Sequence, residues 1–534
     1  MSISRKLGTI AALGGSTAAL AMLTGLAGAR ADDLQYNQQL LDTRIDQLAA
    51  VGLQPGQGAV FSVDENKAAG AAVTGGSFPR SILIPGTDTS LKIYGQITLI
   101  TDYFLSGGPV NGSPYSSTIG PTGNLESLPL QNTVAKARSN GIFQFVPRES
   151  KIGFESRTPT PFGEARTVME FDWNGGGNYV PGGGAPLQVS DSLVPRIRYA
   201  YGTLGGLLAG QASSNFSDPD ANTETLDFGG DAGTPGVVRQ PQIRYTMPAW
   251  WGSSFSVSVE DPETSAATSA GLIANDAGVS SAVVSPGTNA CTATSTSTTT
   301  GGATTTTTTT CSVGAAFTVN PTKATAPDLT AALYYPQQWG HVDLSAVLRP
   351  GLDFNDGHYF DKQFIGYGGH IGADVKPGWF GWVKDDIAFQ FEDGDGIGRY
   401  VNASNSPSLA TNFGGTGQYG NSLTTGAAAG AAGAAAIKVT TVNEAGASLG
   451  YQHWWLDNLR SNFTGGWSYF DIPAAYVAKT TGLNKELYSA HVNLIWNPVS
   501  FVDIGLEYTW GQRTATNNMH ATQNALISKM AFRF

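Results

Sequence analysis

The chain has 534 residues, of which only 13% are charged and 68 are glycine. Soluble globular proteins carry about 25% charged residues, so an ordinary cytosolic enzyme is excluded. Beyond Arg30 no apolar run reaches the roughly 18 residues of a membrane-spanning helix, which excludes multi-pass helical membrane proteins. The net charge of -11 argues against a nucleic-acid partner, because phosphate binding needs clustered Lys and Arg.

The first 31 residues have the pattern of an export signal. Arg5 and Lys6 precede an apolar stretch of small residues over 7–27, and residues 29–31 read Ala-Arg-Ala, a typical cleavage site. We predict a signal peptide over 1–31 and a mature start near Asp32. An N-terminal anchor helix is the alternative.

Residues 32–50 show a seven-residue repeat that predicts a short coiled coil. The repeat consists of Leu34, Leu41 and Leu48, with Gln38 and Ile45 at the other core position. Two to three heptads are marginal as a free helix, so this segment would be stable only where several copies associate. The alternative is a single amphipathic helix packed on the body. The Gly- and Ala-rich residues 51–81 are typical of a linker.

From residue 82 to residue 534 the helical period disappears, and segments of about ten residues alternate apolar with polar or small side chains. This pattern is typical of a membrane β-barrel. We predict an all-β fold, a 16-stranded antiparallel transmembrane β-barrel. The strands start near residues 91, 148, 163, 193, 206, 241, 253, 328, 340, 364, 383, 443, 459, 485, 501 and 524.

The connections between these segments alternate in length. Short connections such as 203–205 follow long ones such as 174–192, as expected for tight periplasmic turns and extended external loops. Tryptophans cluster at strand ends, where aromatic girdles lie in such barrels. The last strand ends in Phe534, which resembles the recognition signal of Gram-negative outer-membrane proteins. We therefore expect an outer-membrane location, with membrane lipid and lipopolysaccharide as surroundings.

Alternation also predicts which side chains face lipid and which face the lumen. The lipid-facing sets include Met169, Phe171 and Trp173 on one strand and Ile197, Tyr199 and Tyr201 on the next. Charged side chains between them are tolerable only if the other face is wet. A barrel of this size has a water-filled interior, so the fold predicts a channel.

Five basic residues on neighbouring strands are predicted to face that lumen: Lys151, Arg166, Arg196, Arg198 and Arg244. Guanidinium groups bind carboxylates through two parallel hydrogen bonds and keep their charge at all relevant pH values. Such a wall would concentrate and orient small anions. The alternative is that neighbouring acids, Glu155, Glu170 and Asp172, merely neutralise these charges.

The long connection 212–240 contains aromatic, turn and acidic residues that suit a loop folded into the barrel. Its candidate constriction residues are Phe216, Asp218, Asp220, Glu224 and Asp227. An exposed surface loop is the alternative.

Only two cysteines exist, Cys291 and Cys311, on either side of a Thr-rich tract. In an oxidising compartment we expect them to form a disulfide. A zinc site would need more ligands nearby, so we expect neither a metal nor another cofactor.

Four stretches together resemble the DcaP-like porins of Gram-negative outer membranes. They are residues 84–95 (IPGTDTSLKIYG), 149–154 (ESKIGF), 211–230 and 239–245 (RQPQIRY). The resemblance implies a homotrimer with a periplasmic coiled coil and passive uptake of small anionic or dicarboxylic solutes through an arginine-lined eyelet. Arg196, Arg198 and Arg244 lie in matching strand motifs. The Thr-rich insertion and the Ala- and Gly-rich residues 426–436 depart from the family pattern.

Other functions of a membrane barrel would require other residues in the sequence. A neutral-sugar porin needs a file of lumenal aromatics, for which Tyr94 and Tyr334 are candidates, and a non-selective channel needs only balanced charges. A surface adhesin would use the Thr-rich loop. We expect no enzymatic activity, because the six histidines are scattered without a nucleophile motif.

Overall fold

The structure is a computed structural model of the chain. It describes residues 75–109, 120–125, 128–130, 139–175, 194–234, 238–267, 273–275, 292–298, 306–312, 322–355, 361–401, 406–411, 438–473 and 483–534. The predicted signal peptide, coiled coil and most of the linker lie outside the described residues. So does Cys291, and with it the predicted disulfide to Cys311.

Sixteen antiparallel strands form one closed barrel, as predicted. They are β1 (Ser90–Ser106), β2 (Ile142–Val146 and Lys151–Thr160), β3 (Gly163–Gly175), β4 (Val194–Leu204), β5 (Leu207–Ser213), β6 (Arg239–Pro248), β7 (Ser254–Glu260), β8 (Asp328–Gln337), β9 (Gly340–Asn355), β10 (Asp361–Val375), β11 (Asp386–Asp395), β12 (Asn443–Leu456), β13 (Leu459–Asp471), β14 (Asn484–Val499), β15 (Val502–Ala515) and β16 (His520–Arg533). The barrel closes where β16 pairs with β1, from Gln96 opposite Arg533 to Ser106 opposite Asn524.

The second strand differs from its predicted start near residue 148. It begins at Ile142 and is interrupted over residues 147–150, where the N–H of Ser150 donates to the carbonyl of Pro147 in a tight turn. Proline has no N–H for the ladder, which explains why the strand breaks there. The last strand begins at His520, four residues before the predicted start.

Smaller elements accompany the sixteen barrel strands. They are the helix α1 (Gly120–Leu125) and the short strands Ile82–Leu83, Ser265–Ala267, Ile273–Asn275, Thr292–Thr298, Thr306–Ser312, Thr322–Ala324, Leu409–Thr411 and Val439–Thr441. The two Thr-rich strands pair as a hairpin. In the described part of the chain, no helix has the length and apolar character needed to cross a membrane.

The two faces of the barrel differ in chemistry. On β15, Leu506 is 59% exposed while the next residue, Glu507, is fully buried. On β14, Val492 and Leu494 are exposed, and the intervening Asn493 is buried. Apolar side chains therefore cover the outer face, and charged and amide groups line the inside, as an outer-membrane barrel requires.

A β-bulge in β4 changes which side chains face inward. Glu170 pairs with Tyr199 and Phe171 with Ile197, so Arg198 is the extra residue. A bulge shifts the alternation by one position. Tyr199 and Tyr201 are consequently buried inside the barrel, and the prediction that they face lipid was wrong, whereas Ile197 remains on the outer face.

Aromatic side chains lie exposed near the ends of the strands. Trp339, Trp379, Trp382, Trp455 and Trp496 are each between 42% and 55% exposed. Tryptophan rings favour the headgroup level of a membrane, so these positions suit an aromatic girdle.

Loop residues fill part of the barrel interior and form a hydrophobic cluster there together with strand residues. The cluster includes Leu125, Phe216, Tyr400, Val442 and Leu487. Long connections thus fold inward over the strands and bring their polar residues to the lumen.

Candidate functional site: the inner loop and the basic wall

The connection over residues 214–238 is here called the inner loop, and its described residues 214–234 enter the barrel interior. The strand that leads into it, β5, has only 7 residues, whereas β9, which the loop contacts, has 16. The acids of the loop reach three distant strands: Asp218 contacts β9, Glu224 contacts β13 and Asp231 contacts β14. The loop therefore spans part of the interior between strands that are far apart in the chain.

The first part of the inner loop is fixed by Phe216 and Asp218. The buried ring of Phe216 packs edge-on against Tyr400, with ring centroids 5.2 Å apart. Oδ2 of Asp218 lies 2.7 Å from Nε2 of His341. Gly372 makes room for this carboxylate, because a Cβ added there would lie 2.5 Å from the Asp218 side chain.

Three side chains in this part of the lumen have ligand atoms that could together hold a metal ion. The ligand atoms of Asp218, Asp220 and His341 lie within 4.8 Å of one another. The backbone N–H of Asp220 donates to Oδ1 of Asp218 at 3.2 Å. This bond fixes the local turn of the loop, and the contact with His341 attaches Asp218 to β9.

The middle of the loop is held by Glu224. Nε and Nη2 of Arg460 donate to its two carboxylate oxygens at 2.7 and 2.5 Å. Nε2 of Gln452 and Nδ2 of Asn462 add bonds of 2.8 and 3.1 Å. Burial by itself would raise the pKa of Glu224, but the Arg460 guanidinium outweighs it and lowers the pKa below its usual value.

The next residues are clamped through their backbone. The Glu507 carboxylate accepts hydrogen bonds from the N–H groups of Leu226 at 2.6 Å and Asp227 at 3.2 Å. Asp227 accepts in turn from the N–H of Thr122, in α1, at 2.7 Å. Burial raises the pKa of Asp227 to about 6, against the opposing effects of His491 and the Thr122 hydrogen bond.

Asp231 secures the end of the loop. It accepts hydrogen bonds from the hydroxyls of Thr223 at 2.5 Å and Thr464 at 3.0 Å, and Nε2 of His491 lies 3.4 Å from it. Nδ1 of the same histidine lies 3.1 Å from Glu507. The buried His491 ring thus links the two carboxylates that hold the loop.

The near wall, formed by β2, β3 and β4, carries a second set of ion pairs. Nε of Arg157 and Nε of Arg166 donate to the same oxygen of Glu155 at 2.7 and 2.8 Å. Nε of Arg198 donates to Glu170 at 2.7 Å, and Nζ of Lys151 lies 4.0 Å from the same oxygen. These cations alternate with carboxylates along one surface.

Arg196 differs from the other predicted cations in its exposure. It binds both oxygens of Asp172, at 3.0 and 2.5 Å, and Arg198 donates to the same carboxylate at 3.0 Å. The Arg196 side chain is 37% exposed, whereas the side chains of Lys151, Arg166 and Arg198 are 7%, 1% and 6% exposed. Of these four, Arg196 is the cation most accessible to a solute.

Arg244 lies on the inner face but has a different environment. Its Nε donates to Gln242 at 2.9 Å, and its Nη2 donates to the carbonyl of Ser213 at 2.6 Å. Ser213 is the last residue before the inner loop. Arg244 therefore supports the base of the loop, while the other four predicted cations form the ion pairs of the near wall.

Phe228 connects the inner loop with the near wall. Its ring centroid lies 5.8 Å from the guanidinium carbon of Arg196 and 6.0 Å from that of Arg198. At these distances the ring and the cations attract one another. Phe228 and the exposed part of the Arg196 side chain thus lie next to each other inside the barrel.

Sequence reasoning named four of the loop acids, Asp218, Asp220, Glu224 and Asp227. It missed Asp231 and the strand residues that bind the acids, Arg460, His341 and His491. Alternation along β9, β13 and β14 places these side chains inward. It gives no signal for which loop acid each one meets.

Comparisons with known proteins fit this architecture. Residues 82–493 match the family model of the Porin subfamily. The chain belongs to this porin subfamily. A search of curated protein sequences finds no match.

Among solved structures, the outer membrane channel DcaP of Acinetobacter baumannii is similar over 86% of this chain and 100% of its own, with 18% identity and a TM-score of 0.59. This similarity confirms the predicted likeness to DcaP-like porins at the level of the fold. An anion-selective porin from Comamonas acidovorans is similar over 84% of this chain and 100% of its own, with 7% identity and a TM-score of 0.43.

Family and fold together identify an outer-membrane porin, a channel rather than an enzyme.

Proposed function

We propose that this porin is a passive diffusion channel that favours small anions, dicarboxylates among them, and that Arg196 is the cation they meet at the narrow part of the lumen. The observation that carries the proposal is the half-buried Arg196 guanidinium beside Phe228. Arginine keeps its charge throughout the pH range of any natural medium, so the attraction would be permanent.

The charge balance of the near wall supports an anion preference. The described residues of β2 to β6, with the turn at 147–150, contain eight cations and five carboxylates. The cations are Arg148, Lys151, Arg157, Arg166, Arg196, Arg198, Arg239 and Arg244, and the carboxylates are Glu149, Glu155, Glu164, Glu170 and Asp172. Three loop acids, Asp218, Glu224 and Asp231, instead bind the far wall, by which we mean β9 and β12 to β15. The strands β2 to β6, which extend the near wall by β5 and β6, therefore carry an excess of positive charge.

The same geometry supports the binding of a solute carboxylate beside Asp172. Arg196 and Arg198 share Asp172, so two guanidinium groups lie around one carboxylate. A second carboxylate entering from the lumen meets an edge of Arg196 that has already lost part of its hydration. Charge-assisted hydrogen bonds at such a site are stronger than those in open water.

A non-selective channel is the second candidate, and one observation favours it. Lys151, Arg166 and Arg198 are almost fully covered and neutralised by Glu155, Glu170 and their neighbours. Under that hypothesis the ion pairs would only stiffen the wall. A neutral-sugar porin is less well supported, because Tyr94 and Tyr334 are only 6% and 8% exposed.

Reversal potentials in a planar bilayer under a KCl gradient test the proposal. We expect anion preference in the wild type and a shift toward cation preference in Arg196→Ser and in the triple variant Arg196→Ser/Arg198→Ser/Arg244→Ser. Lys323→Ser is the control, because Lys323 is an exposed lysine paired with Asp353 away from the inner loop. Cation preference that does not respond to the triple substitution would refute the proposal.

We also propose that the porin is a homotrimer whose N-terminal heptads help to hold three barrels together. The support is the spacing of Leu34, Leu41, Ile45 and Leu48. Deleting residues 32–50 should lower the temperature at which the trimer dissociates in detergent. An unchanged dissociation temperature would assign the segment another role.

A further inference from the structure

We propose that Arg460 and Glu507 are positioning residues for the anion site on the opposite wall. By holding the inner loop, they would place Phe228 against Arg196 and Arg198 and so set the width and affinity of the constriction. This inference rests on the proposed anion preference and adds how the far wall controls it.

Five consecutive residues, 224–228, connect the two walls. Glu224 is bound by Arg460, Leu226 and Asp227 donate their N–H groups to Glu507, and Phe228 meets the two arginines. Adjacent Cα atoms are about 3.8 Å apart, so Phe228 cannot move far while Asp227 is clamped. The position of its ring therefore depends on contacts made by the far wall.

The two clamps lie away from water. The Arg460 side chain is 1% exposed, and that of Glu507 is fully buried. Asn493 and His491 also bind Glu507, at 3.0 and 3.1 Å, which fixes its carboxylate toward the loop. If the loop moved away, Arg460 and Glu507 would lose their loop partners. A buried charge without a partner is strongly destabilising, so the population in which the loop is held should greatly exceed the population in which it is released.

The far wall is also shaped to receive the loop closely. A Cβ added to Gly505 would lie 2.7 Å from the Leu226 side chain, and one added to Gly450 would lie 2.6 Å from Thr223. Both contacts are closer than real side chains allow. The loop lies against the wall at these two glycines, so charge and shape fix the same position.

The test uses the full-length porin and a pair of substitutions that leaves the net charge of the lumen unchanged. Glu224→Gln/Arg460→Gln removes one negative and one positive charge, so a change in selectivity cannot come from net charge. The control is Lys323→Gln/Asp353→Asn, which removes another ion pair, 3.3 Å apart, away from the inner loop. Arg460→Lys keeps the positive charge but loses the bidentate hydrogen bond to Glu224.

The first readout is block of single-channel current by succinate. We expect the block in Glu224→Gln/Arg460→Gln to weaken by about tenfold, equivalent to losing one well-placed charged hydrogen bond at the site. Arg460→Lys should lie between this variant and wild type. The control pair should bind succinate as wild type does. Equal affinity in all four proteins would overturn the proposal.

The second readout follows the loop itself. A spin label at Thr225, in a Cys291→Ser/Cys311→Ser background, should be immobile in wild type and in the control pair and mobile in the Arg460 variants. Glu507→Gln should also mobilise the label. A label that stays immobile in the Arg460 and Glu507 variants would show that these residues do not hold the loop.

The two readouts separate this inference from the proposed function. If wild type shows neither anion preference nor succinate block, the proposed anion site fails, and the spin label still decides whether the far wall holds the loop. If the label is mobilised while succinate block is unchanged, the loop is held as inferred but does not set the site.

Discussion

The near wall and the far wall both contain buried ion pairs, but they use them differently. On the near wall, cations and carboxylates come from adjacent strands, as in Arg198 with Glu170 and Arg196 with Asp172. On the far wall, each of the pairs that hold the loop joins a strand residue to a loop residue, as in Arg460 with Glu224. The same chemistry therefore lines the lumen on one side and anchors a loop on the other.

The two walls also differ in the exposure of their cations. On the near wall the Arg196 side chain is 37% exposed, although Arg166 and Arg198 in the same wall are almost fully covered. On the far wall the loop itself covers the charges, and Arg460 is almost fully buried. Breaking a pair should consequently change selectivity on the near wall and loop order on the far wall.

The largest effect is expected from Glu507→Ala on the far wall. This change leaves the N–H groups of Leu226 and Asp227 without an acceptor and removes a partner of His491. Removing one member of a buried charged network typically destabilises a protein by about 3 to 5 kcal/mol. Thermal unfolding of the detergent-solubilised barrel should show a lower midpoint. Glu507→Gln, which keeps one carbonyl acceptor, should lose less, and equal losses would contradict the role of the hydrogen bonds.

A second prediction concerns Asp172 on the near wall. Asp172→Asn removes the charge that neutralises Arg196 and Arg198, so these guanidinium groups would face the lumen with greater net positive charge. We expect stronger anion preference and block by succinate at about tenfold lower concentration, the effect of about 1.4 kcal/mol. Reversal potentials and current block measure both. Weaker block would mean that Asp172 mainly keeps the arginines in place.

The pH dependence of the inner loop gives a third prediction. Burial raises the pKa of Asp227 from 3.8 to about 6, so the protonated form is favoured in the folded loop. Its stabilising contribution is therefore complete below pH 3.8 and is lost as the pH rises through about 6. Brief closures in single-channel records should become more frequent between pH 4 and pH 7, a range of about three units that brackets the pKa. Asp227→Asn should flatten this dependence, and an unchanged profile in that variant would assign it to another group.

The smallest effect is expected from an ion pair outside the barrel lumen. Lys384 and Asp457 lie 2.7 Å apart in neighbouring turns, and their side chains are 50% and 96% exposed. Solvent and salt screen such a pair. Lys384→Gln should leave both the unfolding midpoint and the reversal potential unchanged. A clear shift in the unfolding midpoint or in the reversal potential would contradict this prediction. It would show that exposed charges, and not only the buried pairs, contribute to stability or selectivity.

Much of the barrel could be predicted because its signals are local. The alternation along β15 separates Leu506 from Glu507 without any knowledge of their neighbours. The alternating lengths of the connections likewise identify the two ends of the barrel. Tyr199 and Tyr201 were assigned to the wrong face because the bulge at Arg198 depends on pairing with β3, which a single strand's pattern does not reveal.

The candidate site could be predicted only in part. Alternation predicts that Arg166 and Arg244 both lie on the inner face. It does not predict their partners: Arg166 forms an ion pair with Glu155, and Arg244 donates a hydrogen bond to the carbonyl of Ser213. Phe228 reads as one aromatic in a turn-rich loop, and its contact with Arg196 follows only from where the loop is clamped. The two-residue alternation predicts which face a side chain lies on. It does not predict the position of that side chain along the barrel axis or the path of a loop.

The sequence alone determined the number of strands and which cations face inward. Side chains of a β-strand point to alternate faces with a period of two residues, and only the face in contact with lipid has to be apolar. Only the tertiary structure decided which charges meet. Glu224 and Arg460 are 236 residues apart in the chain, and their contact exists because barrel closure brings distant strands around one lumen. The exposure of Arg196 and the position of Phe228 depend on that closure, so the arrangement of these two side chains is a property of the folded barrel.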